Sequence, residues 1–284
     1  MTVNHVLAKN GALNEFLNTN KKQIIIAVAF LLTYTPTFLW MWDRWFARDS
    51  YYSHGILIPF VTGYLIWQKR KELQAIPRET SVWGTKLVLL GVAVHVVSSF
   101  SRVYFTSGFS MLIVFVGFIL YFYGEKVLRN ILFPVLFLIF MVPVPLVLIT
   151  DISFKMKIMA AQLATVVLNN IRIPAIREGS LIKLQHTYVV VEDVCSGLRS
   201  LISLAALGGI FAYWMKSTMT RRILLFLSTI PIAVVTNMFR IVFLSAVSEI
   251  WGAQYAVGFL HDLSGFMVFG IAFVLLFAAG KLLE

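Results

Sequence analysis

The sequence predicts an all-α polytopic membrane protein of about eight transmembrane helices, with a small extracytoplasmic hairpin before the sixth. Three observations carry that prediction. First, 59% of the 284 residues are hydrophobic and 13% are charged, with a mean hydropathy of +0.84. A soluble domain of this size needs far more polar surface. Second, the apolar residues gather in runs that reach, or nearly reach, the length needed to cross a hydrocarbon core about 30 Å thick. Third, the Lys and Arg residues fall mostly in short segments between those runs, as a topology signal does.

In chain order the expected spans are 23–42, 54–68, 84–100, 107–123, 131–149, 198–214, 223–248 and 263–280. The first follows Lys21 and Lys22 and runs about 20 residues, too long for the h-region of a signal peptide, so it is expected to stay as a helix. The second is short. With the N-terminus in the cytoplasm, the inside segments carry fourteen Lys and Arg, and the short outside loops carry only Arg44, Arg48 and Arg102. That asymmetry places both chain ends inside. Residues 1–22 then form a cytoplasmic N-terminal segment, 150–197 is extracytoplasmic, and 1–284 reads as one integral-membrane domain. A net charge of +11 would suggest nucleic-acid binding in a soluble chain. Here it marks topology, and the expected partner is the lipid bilayer, with no nucleic acid.

The outer segment divides in two. Residues 151–173 have apolar positions at helical spacing with lysines between them, the pattern of an interfacial helix on the outer leaflet. Ser180–Leu184 and Thr187–Val191 read as two short strands, with Gly179 as punctuation. This hairpin runs straight into 191-VEDVCSGLRSL-201, which holds the chain's one cysteine, Cys195.

On this topology three chemically capable residues meet at the outer face. Cys195 stands at the outer start of the sixth span, Arg240 in the outer half of the seventh, and His261 at the outer start of the eighth. If Asp193 or Ser196 caps the sixth helix, the thiol lies in its first turn, where the helix dipole favours thiolate. His261 exchanges a proton near neutral pH. Arg240 stays charged and can donate two hydrogen bonds to a developing oxyanion or to a carboxylate. Arg199, four residues after Cys195, shares its helical face, and Asn237 precedes Arg240 by three. Each also has a plainer reading: Cys195 as a small core residue, His261 as an interfacial one, Arg240 as a side chain snorkelling outward. His54 reads as a cap or interface residue and His186 as a turn residue. A metal site is not expected, nor any other cofactor. GxSxG, HExxH and Walker-type loops are missing from the sequence, which argues against serine hydrolases, zinc proteases and P-loop NTPases.

Four blocks in order resemble the exosortase family, the EpsH-like bacterial membrane cysteine transpeptidases. They are YYSHGILIP around His54, EDVCSGLRSL around Cys195, PIAVVTNMFRI around Arg240 and HDLSGFMVF from His261, with MVPVP at 141–145 between the first two. The resemblance implies Cys195, Arg240 and His261 as the catalytic set. Arg199, Asn237 and His54 are the expected substrate-binding residues. It also implies the substrate: a secreted protein with a C-terminal Pro-Glu-Pro motif, one transmembrane helix and a basic tail. That protein would be cleaved near the motif at the periplasmic face of the inner membrane and passed to an envelope acceptor, in company with exopolysaccharide production. Three other readings remain open: a protease that releases its substrate to water, a transporter or export subunit with Arg240 and His261 lining a polar path, and a scaffold for exopolysaccharide assembly.

Overall fold

The computed structural model describes residues 21–48, 50–191, 196–256 and 259–284, and the side chains of Phe259, His261 and Asp262 lie outside that description. The architecture is all-α, as a bilayer demands of a chain whose backbone amides have no water to bond. Helices α1 (Lys21–Thr33) and α2 (Thr35–Trp45) make up the first span, bent by 59° between them. The bend has a local cause: Pro36, in the first turn of α2, has no N–H to give the helical ladder. A 3-10 turn (Ser53–Ile56) leads into α3 (Leu57–Gln68). Its 12 residues extend about 18 Å, so α3 alone falls short of a core about 30 Å thick. The second expected span is therefore not one crossing helix.

After the short α4 (Arg70–Ala75), α5 (Val82–Phe100) and α6 (Tyr104–Tyr123) form a tight antiparallel hairpin. Small residues bring the two backbones together. A Cβ on Gly84 would come within 2.5 Å of the Tyr121 backbone nitrogen, and one on Gly117 within 2.9 Å of the Val88 nitrogen.

The fifth expected span, 131–149, is broken. Beyond α7 (Glu125–Asn130), α8 (Leu132–Phe137) passes into a 3-10 turn (Leu138–Met141), and the chain then bends by 84° into α9 (Leu146–Asn170). Pro143 and Pro145 fall in the break, where neither can donate to a continuing helix. Helix α9 joins the end of that expected span to the expected interfacial helix. Its face of Ala160, Ala161, Ala164 and Leu168 is buried in a cluster with Ile241, a packing contact that periodicity alone did not suggest.

The outer hairpin has three strands rather than two. Strands β1 (Ile176–Glu178), β2 (Leu181–Lys183) and β3 (Tyr188–Val190) pair antiparallel in sequence order. Gly179, at φ +63°, makes the first turn. Ile182 and Val191 bury against Leu168 of α9 and Ile241 beyond it, so the sheet covers both helices.

Helix α10 (Leu198–Trp214), at 17 residues, is short but apolar. Helix α11 (Met219–Trp251) has 33 residues and runs about 50 Å, well beyond the ~30 Å core. Its outer part carries the sheet: Thr187 meets Ser248, and the His186 backbone and ring both bond Glu249. The chain turns at Gly252, passes through α12 (Ala253–Ala256) and returns as α13 (Phe259–Leu283). Among the described residues, four helices cross-qualify unbroken by length and composition, and counting each bent pair as one span brings the number to six. The protein is an all-α polytopic membrane protein.

Candidate active site

The segment entering α10 is held from three sides. Gly197 occupies the N-cap at φ +84°, a left-handed conformation that L side chains resist. Ser196, 1% exposed, accepts a hydrogen bond from the Leu198 amide at 3.3 Å and another from Ser153 Oγ at 2.9 Å. Ser153, on α9, is fully buried and shares a 3.4 Å contact with the Tyr51 hydroxyl. A chain of hydroxyls thus ties residue 196 to α9 and to the 51–54 block. Because the helix starts at Leu198, position 195 precedes it instead of lying in its first turn. Cys195, Glu192 and Asp193 lie outside the described residues.

Helix α11 presents two polar groups one turn apart. Asn237 is 2% exposed, and a Cβ on Gly197 would lie 2.9 Å from its Cγ. Only glycine lets the loop sit this close to Asn237. One turn on, Arg240 Nε donates to Ser264 Oγ at 3.0 Å. The guanidinium lies over Gly265, where a Cβ would stand 3.8 Å from Nη2. Ser264 and Gly265 belong to the first turns of α13, and position 261 is one turn before Ser264. Helix α11 therefore touches the loop two residues from Cys195 through Asn237, and the His261 turn of α13 through Arg240. Ile241, next to Arg240, is packed with the buried Ile182 of the sheet. Arg240 is therefore next in the chain to the residue through which the sheet packs on α11.

His54 approaches from another side. Its Nδ1 lies 3.2 Å from Ser203 Oγ on α10, while its Nε2 is buried with no hydrogen-bond partner among the described residues. Arg199 is half-buried one helical turn before Ser203. The block bearing His54 is locked in place by Trp45, whose indole N–H donates to the Met141 carbonyl at 2.9 Å and whose ring covers Gly55. The YSHG and MVPVP blocks are thus structural neighbours. His186, expected as a turn residue, does lie between β2 and β3 and pairs with Glu249 at 2.7 Å.

Three contributors were missed by the sequence reading: Ser153, Tyr51 and Ser264. Ser264 had a usable signal, since it stands three residues after His261. Ser153 and Tyr51 had none, because their link to Ser196 spans 43 residues or more and depends on the bend before α9. Among the described residues, no group of three His, Cys, Asp or Glu side chains is placed to hold a metal ion.

Arg240, held at Nε by Ser264, is a fixed cation at the meeting of α11 and α13. The family model for transmembrane exosortases (EpsH) matches residues 42–278, most of the chain, and that interval contains every one of these elements. No curated protein and no solved structure matches the chain. A match of that extent, over a polytopic helical architecture, makes this chain a member of the transmembrane exosortase family.

Proposed function

We propose that the protein is a cysteine transpeptidase of the inner membrane, working at the periplasmic face on secreted proteins that end in a Pro-Glu-Pro motif, a transmembrane helix and a basic tail. The observation that supports this most is the way α11 meets both the 196–197 loop, through Asn237 and Gly197, and the first turns of α13, through Arg240 and Ser264. The thiolate of Cys195 attacks the peptide carbonyl beside the motif, forming the S–C bond. Arg240 stabilises the tetrahedral oxyanion. His261 gives its proton to the leaving amine as the C–N bond breaks, which leaves a thioester. It then takes a proton from the envelope acceptor, whose nucleophile attacks the thioester and expels the thiolate. Asn237 and Arg199 hold the substrate near the loop, and His54 offers Nε2 from the α10 side. The transferred product joins an envelope assembled alongside exopolysaccharide.

Co-expression with a tagged substrate bearing the Pro-Glu-Pro signal tests the scheme, comparing wild type with Cys195→Ala. Processing should disappear in the variant, and mass spectrometry of the new C-terminus should show a conjugate. A free carboxylate there would make the enzyme a protease that uses water. Equal processing by both proteins would make the thiol structural and end the cysteine mechanism.

A further inference from the structure

A second site lies at the opposite end of the bundle, the end where Lys and Arg concentrate. Between α3, α4, α6 and α7 runs a groove of about 590 Å³, within the ~300–1,000 Å³ range of small-molecule sites. Its depth is apolar, lined by Ile66, Phe115, Ile119 and Ile131, and Arg70 and Arg78 stand among its lining residues.

The charges around it are sorted. Beside the groove Lys69 donates to the Asn130 carbonyl at 2.6 Å, Lys126 pairs with Glu79 at 2.7 Å and Arg129 with Glu125 at 2.6 Å. Arg70 and Arg78 form no ion pair with a carboxylate among the described residues. Each is instead held against an aromatic ring, Arg70 at 4.1 Å from the Trp67 centroid and Arg78 at 5.4 Å from that of Tyr123. Arg70 also donates from Nη1 to the Trp67 carbonyl at 3.1 Å, and stacking of this kind leaves the remaining N–H groups of a guanidinium for an anion. Gly63 also lines the groove, and a Cβ there would meet nothing within 4 Å.

We infer that this groove is a binding site for an anionic phospholipid, with one acyl chain against the apolar wall and the phosphate between Arg70 and Arg78. The combination fits that occupant: an apolar slot between helices of a membrane protein, lined also by two cations with no carboxylate partner among the described residues, suits an acyl chain and a phosphate. The inference is independent of the chemistry at Cys195, because it concerns other residues and a binding readout.

The test uses the full-length protein in nanodiscs or detergent, with phosphatidylglycerol and phosphatidylcholine as probes and native mass spectrometry as the readout. Wild type should retain phosphatidylglycerol in preference to phosphatidylcholine. The pair Arg70→Gln and Arg78→Gln should weaken that retention by about tenfold, the loss of charge-assisted hydrogen bonds. Gly63→Leu, which enters open space, should fill the slot and reduce retention with the arginines intact. Equal retention of both lipids, or retention unchanged in both variants, overturns the inference. So does a change of oligomeric state in Gly63→Leu without lipid loss, which assigns the groove to a second copy. Retention that arises only after removal of residues 1–20 assigns the groove to that segment instead.

Discussion

The α5–α6 hairpin and the α10–α11–α13 face both bury polar side chains within an apolar bundle, and they use them in opposite ways. In the hairpin the polar groups bond to one another. Tyr34 meets Ser110 at 3.0 Å, His95 Nδ1 meets Ser107 at 2.8 Å, Thr37 also bonds Ser107, and Thr106 donates to Ser98 at 2.7 Å. Such a closed set settles the bent first span against the hairpin and offers nothing outward. On the other face the polar groups hold backbone turns and helix ends. Asn237 lies under Gly197, Ser153 braces Ser196, and Arg240 reaches to α13. Polarity inside a membrane protein marks a reactive site only where it positions something other than itself.

Breaking the second region should have the larger consequence. Arg240→Lys keeps the charge but loses the planar fork and the Nε contact to Ser264. Substrate processing should fall by about 10²–10³, the usual effect of removing an oxyanion donor, while the variant stays folded by circular dichroism. A rate near wild type would leave Arg240 only an anchor between α11 and α13. Gly197→Ala comes next. It puts a side chain at φ +84° and a Cβ 2.9 Å from Asn237 Cγ. The left-handed conformation alone costs about 1–2 kcal/mol. The loop should shift from Asn237, and processing should fall by about tenfold or more for a cost of that size, with helix content unchanged. Normal processing in Gly197→Ala would show that the 196–197 loop does not set the geometry of residue 195.

These residues also show what could be read from sequence and what could not. Hydropathy located the apolar segments, because transfer to lipid is a local property of a run of side chains. The three-residue spacing linked Arg240 to Asn237, and the same spacing from position 261 to Ser264 was a signal left unread. Helix continuity was less legible. The bends at Pro36 and at 142–145 depend on where each helix finds neighbours once its proline has interrupted the ladder. β1 escaped notice because Ile176–Glu178 has all three residues exposed and offers no alternation of buried positions. The Tyr51–Ser153–Ser196 chain joins three distant segments, and no local pattern encodes such a contact.

The hairpin should respond in stability rather than in chemistry. Gly84→Val would place a branched side chain against the Tyr121 backbone, where a Cβ alone already comes within 2.5 Å. Overpacking of this kind costs about 1–3 kcal/mol. A lower melting temperature is expected, with the rate per folded molecule preserved. A selective loss of rate at unchanged stability would mean that α5 and α6 contribute to the site after all.

The smallest and sharpest contrast is one substitution made in each region, His95→Phe and His54→Phe. At position 95 the ring that packs 4.2 Å from Tyr34 is retained, and Ser107 keeps its bond to Thr37. Losing the bonds to Ser107 and Ser99 should cost about 1–3 kcal/mol and leave processing intact. At position 54 the bond to Ser203 goes, and so does an Nε2 that has no hydrogen-bond partner among the described residues. A nitrogen buried without a partner is costly unless something else occupies it, and the segment beside α10 is where a substrate peptide would lie. In His54→Phe the lost Ser203 bond and the relief of the buried Nε2 should roughly offset each other in stability, and processing should weaken mainly through a raised KM. If both variants lose stability equally and neither changes KM, His54 belongs with His95 as a packing residue, and the closed and open halves of the bundle differ less than their hydrogen bonds suggest.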